Sequence, residues 1–483
     1  MGWAARAMEY RSVAYAHMSA IKIQDNDLHL AEHYAQQSLS FNKYNFNALH
    51  NLAVIYRKLD QRGKAERVLQ ETMQYDPLNH FAQYEKFLLT NSSADFQAFQ
   101  NLVTNEVPYQ TYLEIALEYV SLGFEKESKE LLARSPQHAL VRIWDAYLKK
   151  DPTGLDQIAQ ASPAFVFPYR TKSIQALEWA VSKNNNWKFK YFLGLNYYAV
   201  QRHEEAAKML RACGQESDYA PFYLTRANLL KDKGDVLNDL QTAHRLAPGE
   251  WRTWNYLINH FERKGDFKQQ LTLATQASKK FKGDYTMGFE YAKALLNNGQ
   301  YDASINVLNK LYILPFEGSS EGRDIYERAT ILSAIKLIRS KQYKSALTKI
   351  EASRAWPENL GVGKPYDVDE RIQDYLKAYC LDKLGKSNES DELYKGILAA
   401  TDENFERASV SNILPFVILE KMGDKPKADV LLNKLKSSPS AGRPLQRWVI
   451  ALAEKDQEAI AEFSAKGSSP NSDISIMQQI LKL

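Results

Sequence analysis

FNALHNLAVIYRKLDQRGKAERVLQETMQYDP, running from Phe46 to Pro77, is the stretch whose reading decides the fold. Leu49, Leu52, Ala53 and Tyr56 recur at helical spacing, which makes one face of the first half apolar. After the polar stretch Asp60-Gln61-Arg62-Gly63 the pattern restarts with Ala65 and Leu69, and Pro77 ends it. Two amphipathic segments joined by a short polar turn form an antiparallel helical hairpin. Small residues at Ala53 and Ala65 let the helices approach closely, while Tyr56 and Leu69 fill the remaining space. Ala31 precedes Ala65 by 34 residues, so an earlier hairpin of the same dimensions is expected.

The signature returns downstream. Trp187 to Asp218 carries Leu193, Gly194, Tyr197, Ala206 and Leu210. Trp251 to Gly283 carries Trp254, Leu257, Phe261, Gly265 and Ala274. The next unit carries Tyr291, Ala292, Leu295, Gly299 and Leu308, which sets Gly299 34 residues after Gly265. That is the period of the tetratricopeptide repeat, and the spacing resembles that superfamily. Looser units start near Tyr109, Ala220 (with Ala227, Gly234 and Ala243), Glu327, Arg371 and Val410. Tyr84–Phe99 and His138–Gln160 read as irregular pairs of the same kind. No stretch alternates with period two between hairpin turns, so strands are not expected.

One hairpin cannot bury its apolar face alone, so neighbours must stack into a continuous core. The expected fold class is therefore an all-α, tetratricopeptide-type helical-repeat superhelix, an α-α solenoid with no β-sheet. The expected organisation is repeats over 1–150, an irregular helical joint at 151–187, and repeats over 188–440 with inserted loops at 314–323 and 355–369. Capping helices are expected over 441–483. Pro152, Gly154, Pro163 and Pro168 interrupt the rhythm in the joint, and a helix from Thr171 with Ile174, Leu177 and Val181 restarts it. Trp448, Val449, Ile460 and Phe463 mark the closing pair, before a polar stretch from Lys466 to Asp473.

Composition bounds the function. The chain has 483 residues, with 62 Lys and Arg against 58 Asp and Glu, which offers no electrostatic case for nucleic acid. No window approaches the ~18 uninterrupted apolar residues of a membrane span. Cys213 and Cys380 are too far apart in sequence to suggest a disulfide framework or a thiolate cluster. No secretory leader is read at Met1-Gly2-Trp3, and two unpaired cysteines suit either side of a membrane, so the compartment stays open. The 28 Tyr and 8 Trp are mostly expected to pack the repeats. Tyr197, Tyr198, Trp251 and Trp254 are candidates to face a groove instead.

His29-Leu30-Ala31-Glu32-His33 matches the spacing of inverted zinc proteases. Ala31 holds the small-residue position of a repeat, however, and no third ligand is marked, so the zinc reading of His29, Glu32 and His33 is rejected. No metal, cofactor or catalytic residue is assigned. The two inserted loops are more informative, because long loops in compact folds are usually functional or disordered. Each mixes carboxylates with a base, which suits hydrogen bonding to a polar ligand or partner. The candidates are Glu317, Glu321 and Arg323 in the first loop, and Trp356, Glu358, Asn359, Lys364, Tyr366 and Asp367 in the second. The competing reading is that both loops only space consecutive hairpins.

Four off-consensus segments occur in one order: Asp76 to Phe81, Phe165 to Arg170, Leu314 to Gly322 and Pro357 to Pro365. With them the chain resembles the carboxyl-terminal repeat arm of large bacterial proteins. Those carry a β-rich domain similar to galactose mutarotase ahead of the arm and often occur near sugar-utilisation genes. The resemblance implies a non-enzymatic interaction module that binds a partner protein, or the adjacent β-rich domain, along its concave face. The alternative is an arm that completes a carbohydrate-active enzyme, its loops reaching the site of that domain. Direct sugar binding is a third candidate. The resemblance and the abrupt start together make an excised arm the expectation.

Overall fold

Several hairpins begin with a first helix whose N-terminus is capped by a short polar side chain. Asn45 accepts from the Ala48 amide, Asn79 from Ala82 and Asp284 from Met287, each supplying a partner for an otherwise unpaired helix-terminal donor. In the computed structural model, which describes residues 4–231, 235–404, 406–466 and 470–483, every regular element is helical. Met1–Trp3, Gly234 and residues 467–469 of the polar stretch lie outside those described. The chain forms two compact units, Met1–Phe222 and Tyr223–Leu483.

In the first unit the hairpins are α1 (Arg11–Gln24) with α2 (Leu28–Phe41), α3 (Phe46–Lys58) with α4 (Arg62–Tyr75), and α5 (His80–Thr90) with α6 (Ser93–Leu102). Then come α7 (Tyr109–Ser121) with α8 (Glu125–Ala133), and α9 (Ala139–Lys149) with the short α10 (Leu155–Gln160). A single helix, α11 (Ser173–Lys183), precedes α12 (Trp187–Ala199) with α13 (His203–Ala212). α11 starts two residues after the expected Thr171 and packs on α9 and α12. Between α10 and α11 the chain is irregular, with Phe165 at φ +62°, and the buried Lys188 ammonium donates to the carbonyls of Ala159 (2.7 Å) and Ala161 (2.5 Å).

The first helices α1, α3, α5 and α7 pack on one another in sequence. Polar groups pin this layer across non-consecutive members. Arg57 of α3 reaches the fully buried Glu85 of α5 at 2.5 Å and Glu127 of α8 at 3.3 Å, and Tyr119 of α7 donates to the same Glu85. Lys58 pairs with Glu127 at 2.5 Å. Burial would raise the Glu127 carboxyl, but Lys58, a backbone amide and Arg57 outweigh it and hold it below the usual range. The His50 ring lies 4.3 Å from that of Phe81 and bridges Glu118 (2.8 Å) and Asn79 (3.0 Å).

The unit boundary falls within α14 (Ala220–Leu230), and the second unit continues with α15 (Val236–Leu246), then α16 (Trp251–Arg263) with α17 (Phe267–Lys280) and α18 (Tyr285–Asn297) with α19 (Tyr301–Leu308). There follow α20 (Glu321–Arg339) with α21 (Tyr343–Ser353), α22 (Arg371–Lys383) with α23 (Ser387–Asn404), and α24 (Leu414–Met422) with α25 (Lys425–Lys436). α26 (Pro444–Glu454) and α27 (Gln457–Lys466) form the pair expected from Trp448 and Phe463, both buried. A last helix, α28 (Asp473–Ile480), follows.

A recurrent turn joins first helix to second. One or two residues past the first helix the backbone enters the left-handed region, at Asn26, Asp60, Asn91, Gly123, Lys150 and Gln201. It does so again at Gly265, Gly299, Lys341, Gly385, Gly423 and Lys455. This conformation lets the chain leave a helix and reverse within about four residues. Glycine occupies only some of these positions.

Candidate functional site: two clasped loops

The expected loop 314–323 is a non-helical segment, residues 309–320, with a turn at Glu317-Gly318, followed by a helix. Glu321, Gly322 and Arg323 form the first turn of α20; Ser320 stands just before it, and its hydroxyl donates to Asp324 at 3.1 Å. The acids Glu321 and Asp324 then lie at the positive end of the helix dipole. The second loop, 354–370, contains a 3-10 turn over Glu358–Leu360.

These loops hold each other. The Ile313 amide donates to the Asn359 carbonyl at 2.9 Å, and the Asn359 side-chain amide donates to the carbonyls of Leu308 (3.0 Å) and Leu311 (2.8 Å). Gly361 sits at φ +68°, where a Cβ would stand 2.8 Å from the Ile313 oxygen. Ile313 and Leu360 are buried beneath the pair. Asn359 is thus consumed as a structural strut.

The charged candidates divide into two groups. Arg323 is buried: it donates to the Ser353 carbonyl at 2.8 Å, pairs with Glu327 at 3.0 Å and lies 4.6 Å over the Trp356 ring. Burial pushes the Glu327 carboxyl up even though Arg323 and Gln373 oppose it. Glu321 pairs with Lys293 at 2.8 Å, which also holds the buried Glu290 at 3.0 Å. Asp367 pairs with Arg407 at 2.7 Å, and Lys364 stands 3.9 Å from Glu370. Glu317, Glu358 and Tyr366 are exposed.

Arg371, buried at the start of α22, anchors the end of the second loop. It pairs with Asp369 at 2.7 Å and donates to Thr401 (3.1 Å) and Asn412 (2.9 Å). The Asp369 carboxyl would rise through burial, but the bonds and charge of Arg371, with Ser409, hold it below its ordinary value.

Sequence reasoning missed what the clasp displays. Tyr312, Leu314 and Phe316 are 77%, 72% and 61% exposed, while Ile313 between them is buried. The available signal was the apolar run Tyr-Ile-Leu-Pro-Phe in an insertion, of which only Ile313 is taken into the core. In the first unit Phe165, Phe167 and Tyr169 are exposed while Val166 is buried, which repeats the pattern.

The other candidates are used locally. Glu32 accepts from Tyr56 (2.9 Å) and Gln36 (3.2 Å), and His33 lies against Tyr34. No three His, Cys, Asp or Glu side chains among the described residues stand close enough to hold a metal ion. Tyr197 is buried and donates to Glu178 at 2.5 Å, and Trp254 is buried and donates to the Pro248 carbonyl at 2.9 Å. Tyr198 is 44% exposed and packs edge-on to His203, while Trp251 is half-buried beneath Arg252. Both cysteines are buried, and burial pushes the Cys380 thiol up to about 12. Among the described residues no helix is long and apolar enough to cross a membrane.

No family model matches the sequence, and no curated protein matches it. Among solved structures, yeast Tom70 is similar at 12% identity and a TM-score of 0.30, over 99% of this chain and 100% of that one. A Naa15/Naa10 complex bound to HypK-THB gives 12% and 0.26, over 98% and 91%. The Cut9–Hcn1 hetero-tetramer of APC/C gives 11% and 0.27, over 100% and 92%. At such scores the architecture stands on this chain's own helices: it is an all-α array of stacked helical hairpins.

Proposed function

We propose that the chain is a non-enzymatic interaction scaffold whose clasped loops grip a partner protein, or an adjacent β-rich domain of the same polypeptide. The observation that carries this is the row Tyr312, Leu314 and Phe316, exposed to solvent on a segment pinned from below by Asn359. A contiguous apolar strip on a rigid support marks a contact surface, because holding it costs little further ordering on binding. Glu317 and Glu358 lie on the same two loops and supply a polar rim.

The second reading makes the loops part of a bacterial carbohydrate-active enzyme completed by the adjacent domain. The meeting of the two loops favours it. Against it, Glu321 and Asp367 are engaged by Lys293 and Arg407, which leaves Glu317 and Glu358 as its acids.

One experiment with two arms separates these. Tyr312→Ser, Leu314→Ser and Phe316→Ser together should leave the fold intact, since exposed positions change stability by only about 0.5 kcal/mol each. In cross-linking of the intact protein in its native cells, the triple variant is expected to lose its partner adducts by at least tenfold. Undiminished adducts would sink the scaffold reading. In the other arm, retention on a glycan array that disappears with Glu317→Gln and Glu358→Gln would favour the sugar reading.

A further inference from the structure

A second surface, distinct from the loops, is already occupied by the chain itself. α28 follows the hairpin α26–α27 but packs back on α20 and on the 3-10 turn Val410–Ile413 that leads into α24. Ile476, Met477 and Ile480 are buried there, with Ile474, Leu481 and Leu483 packed alongside. Polar contacts flank this apolar seam. Arg328 donates to Asp473 at 3.0 Å, Asn471 to Asn297 at 2.7 Å, and Tyr379 to the Leu483 carbonyl at 2.7 Å. Arg339 reaches Gln479 at 3.4 Å.

Those partners sit on α18, α20, α22 and the turn before α24, all first helices of their hairpins or the approach to one. α28 therefore lies on the first-helix layer. The residue pattern of α20 agrees. Ile325, Tyr326, Ala329, Ile331, Leu332, Ala334, Ile335 and Ile338 are buried, in the same apolar cluster as Ile476, Met477 and Ile480.

Resting on the scaffold reading above, we propose that α28 is a resident ligand of this layer. It occupies a helix-binding site on α20 and the Val410–Ile413 turn, and it must leave before a partner's amphipathic helix can bind. The seat defines that partner: bulky aliphatic or thioether side chains at i, i+1 and i+4, with an acidic residue facing Arg328. α28 spans only eight residues, capped by Ser472, and a helix this short is marginal once undocked. A longer partner helix, already ordered, competes at an advantage. Arg339 faces an uncharged glutamine, so a partner with a second acid there gains a charge-assisted bond that α28 lacks.

The test uses the full chain and a labelled peptide of residues 470–483. Ile476→Asp with Ile480→Asp should expel α28, and that variant is expected to bind the peptide at least tenfold more tightly than the unaltered chain. The Gln479→Glu peptide should bind it more tightly still. Equal binding by both chains, or a folded variant that takes no peptide, overturns the proposal. If the double variant loses helix content beyond α28 itself, α28 is core and the proposal fails for that surface. Arg328→Glu, which buries no new charge, provides the independent check: it should prefer a peptide carrying Asp473→Lys, and indifference between the two peptides counts against the site. Loop-dependent cross-links persisting alongside a negative peptide result would remove the role of α28 and leave the scaffold reading standing.

Discussion

Gly361 and Asn359 between them decide whether the two loops meet. Alanine at 361 must take a left-handed backbone, which costs about 1–2 kcal/mol, with its Cβ 2.8 Å from a carbonyl oxygen. Gly361→Ala is expected to lower the stability of the second unit by about 2–3 kcal/mol in urea unfolding, whereas Gly363→Ala, in open space, should change it little. Comparable midpoints for the two would show that the clasp is not held at Gly361. The loops were legible as insertions, but the roles inside them were not. Arg323 read as a loop base offered to a ligand, and it is instead buried over Trp356 in the first turn of a helix that starts at Glu321. The Ser-Glu-x-x-Asp run from 320 to 324 carried that information as an N-cap followed by acids. Asn359 gave no such signal, since its partners are carbonyls about fifty positions away.

At the scale of elements, the join of the second loop to α22 rests on the Arg371–Asp369 pair. The Asp369 carboxyl is held below its ordinary 3.8, so the stabilisation it contributes is fully present above that value and is lost as pH falls through the lower folded one. Asp369→Asn is expected to be less stable than the parent at pH 7, with the two curves converging below pH 3.8. A gap that stays constant down to strongly acid pH would mean that ionisation of Asp369 contributes nothing. Arg371 also shows why element-level prediction worked better than residue-level prediction. The unit that begins near Arg371 was legible from the repeat pattern. The contacts of Arg371 with Thr401 and Asn412 depend on how α23 and the turn before α24 come to lie beside it.

At the scale of the whole chain, the period of 34 between Ala31 and Ala65, and between Gly265 and Gly299, was enough to read stacked hairpins. Stacking is a nearest-neighbour property that each repeat encodes locally. What the period could not show are the ties between distant hairpins, such as Arg57 to Glu127 in one unit and Arg328 to Asp473 in the other. Such ties depend on the curvature that accumulates over several repeats. The exposed row at Tyr312, Leu314 and Phe316 was equally invisible, because no repeat rule governs an insertion.

The left-handed turn between first and second helix recurs in both units, yet it is filled by lysine at 150, 341 and 455 and by glutamine at 201. A long side chain with a Cβ pays for that conformation at every such turn, and glycine does not. The chain therefore carries a distributed reserve of unclaimed stability. Lys341→Gly, at φ +57°, should raise the unfolding midpoint of its unit by the equivalent of about 0.5–1 kcal/mol, after the entropy of the more flexible unfolded chain is deducted. An unchanged or lowered midpoint would show that the turn is strain-free as it stands. If the gain holds, repeated substitution at these turns would harden the array for engineering without touching a helix face, a loop or the seat of α28.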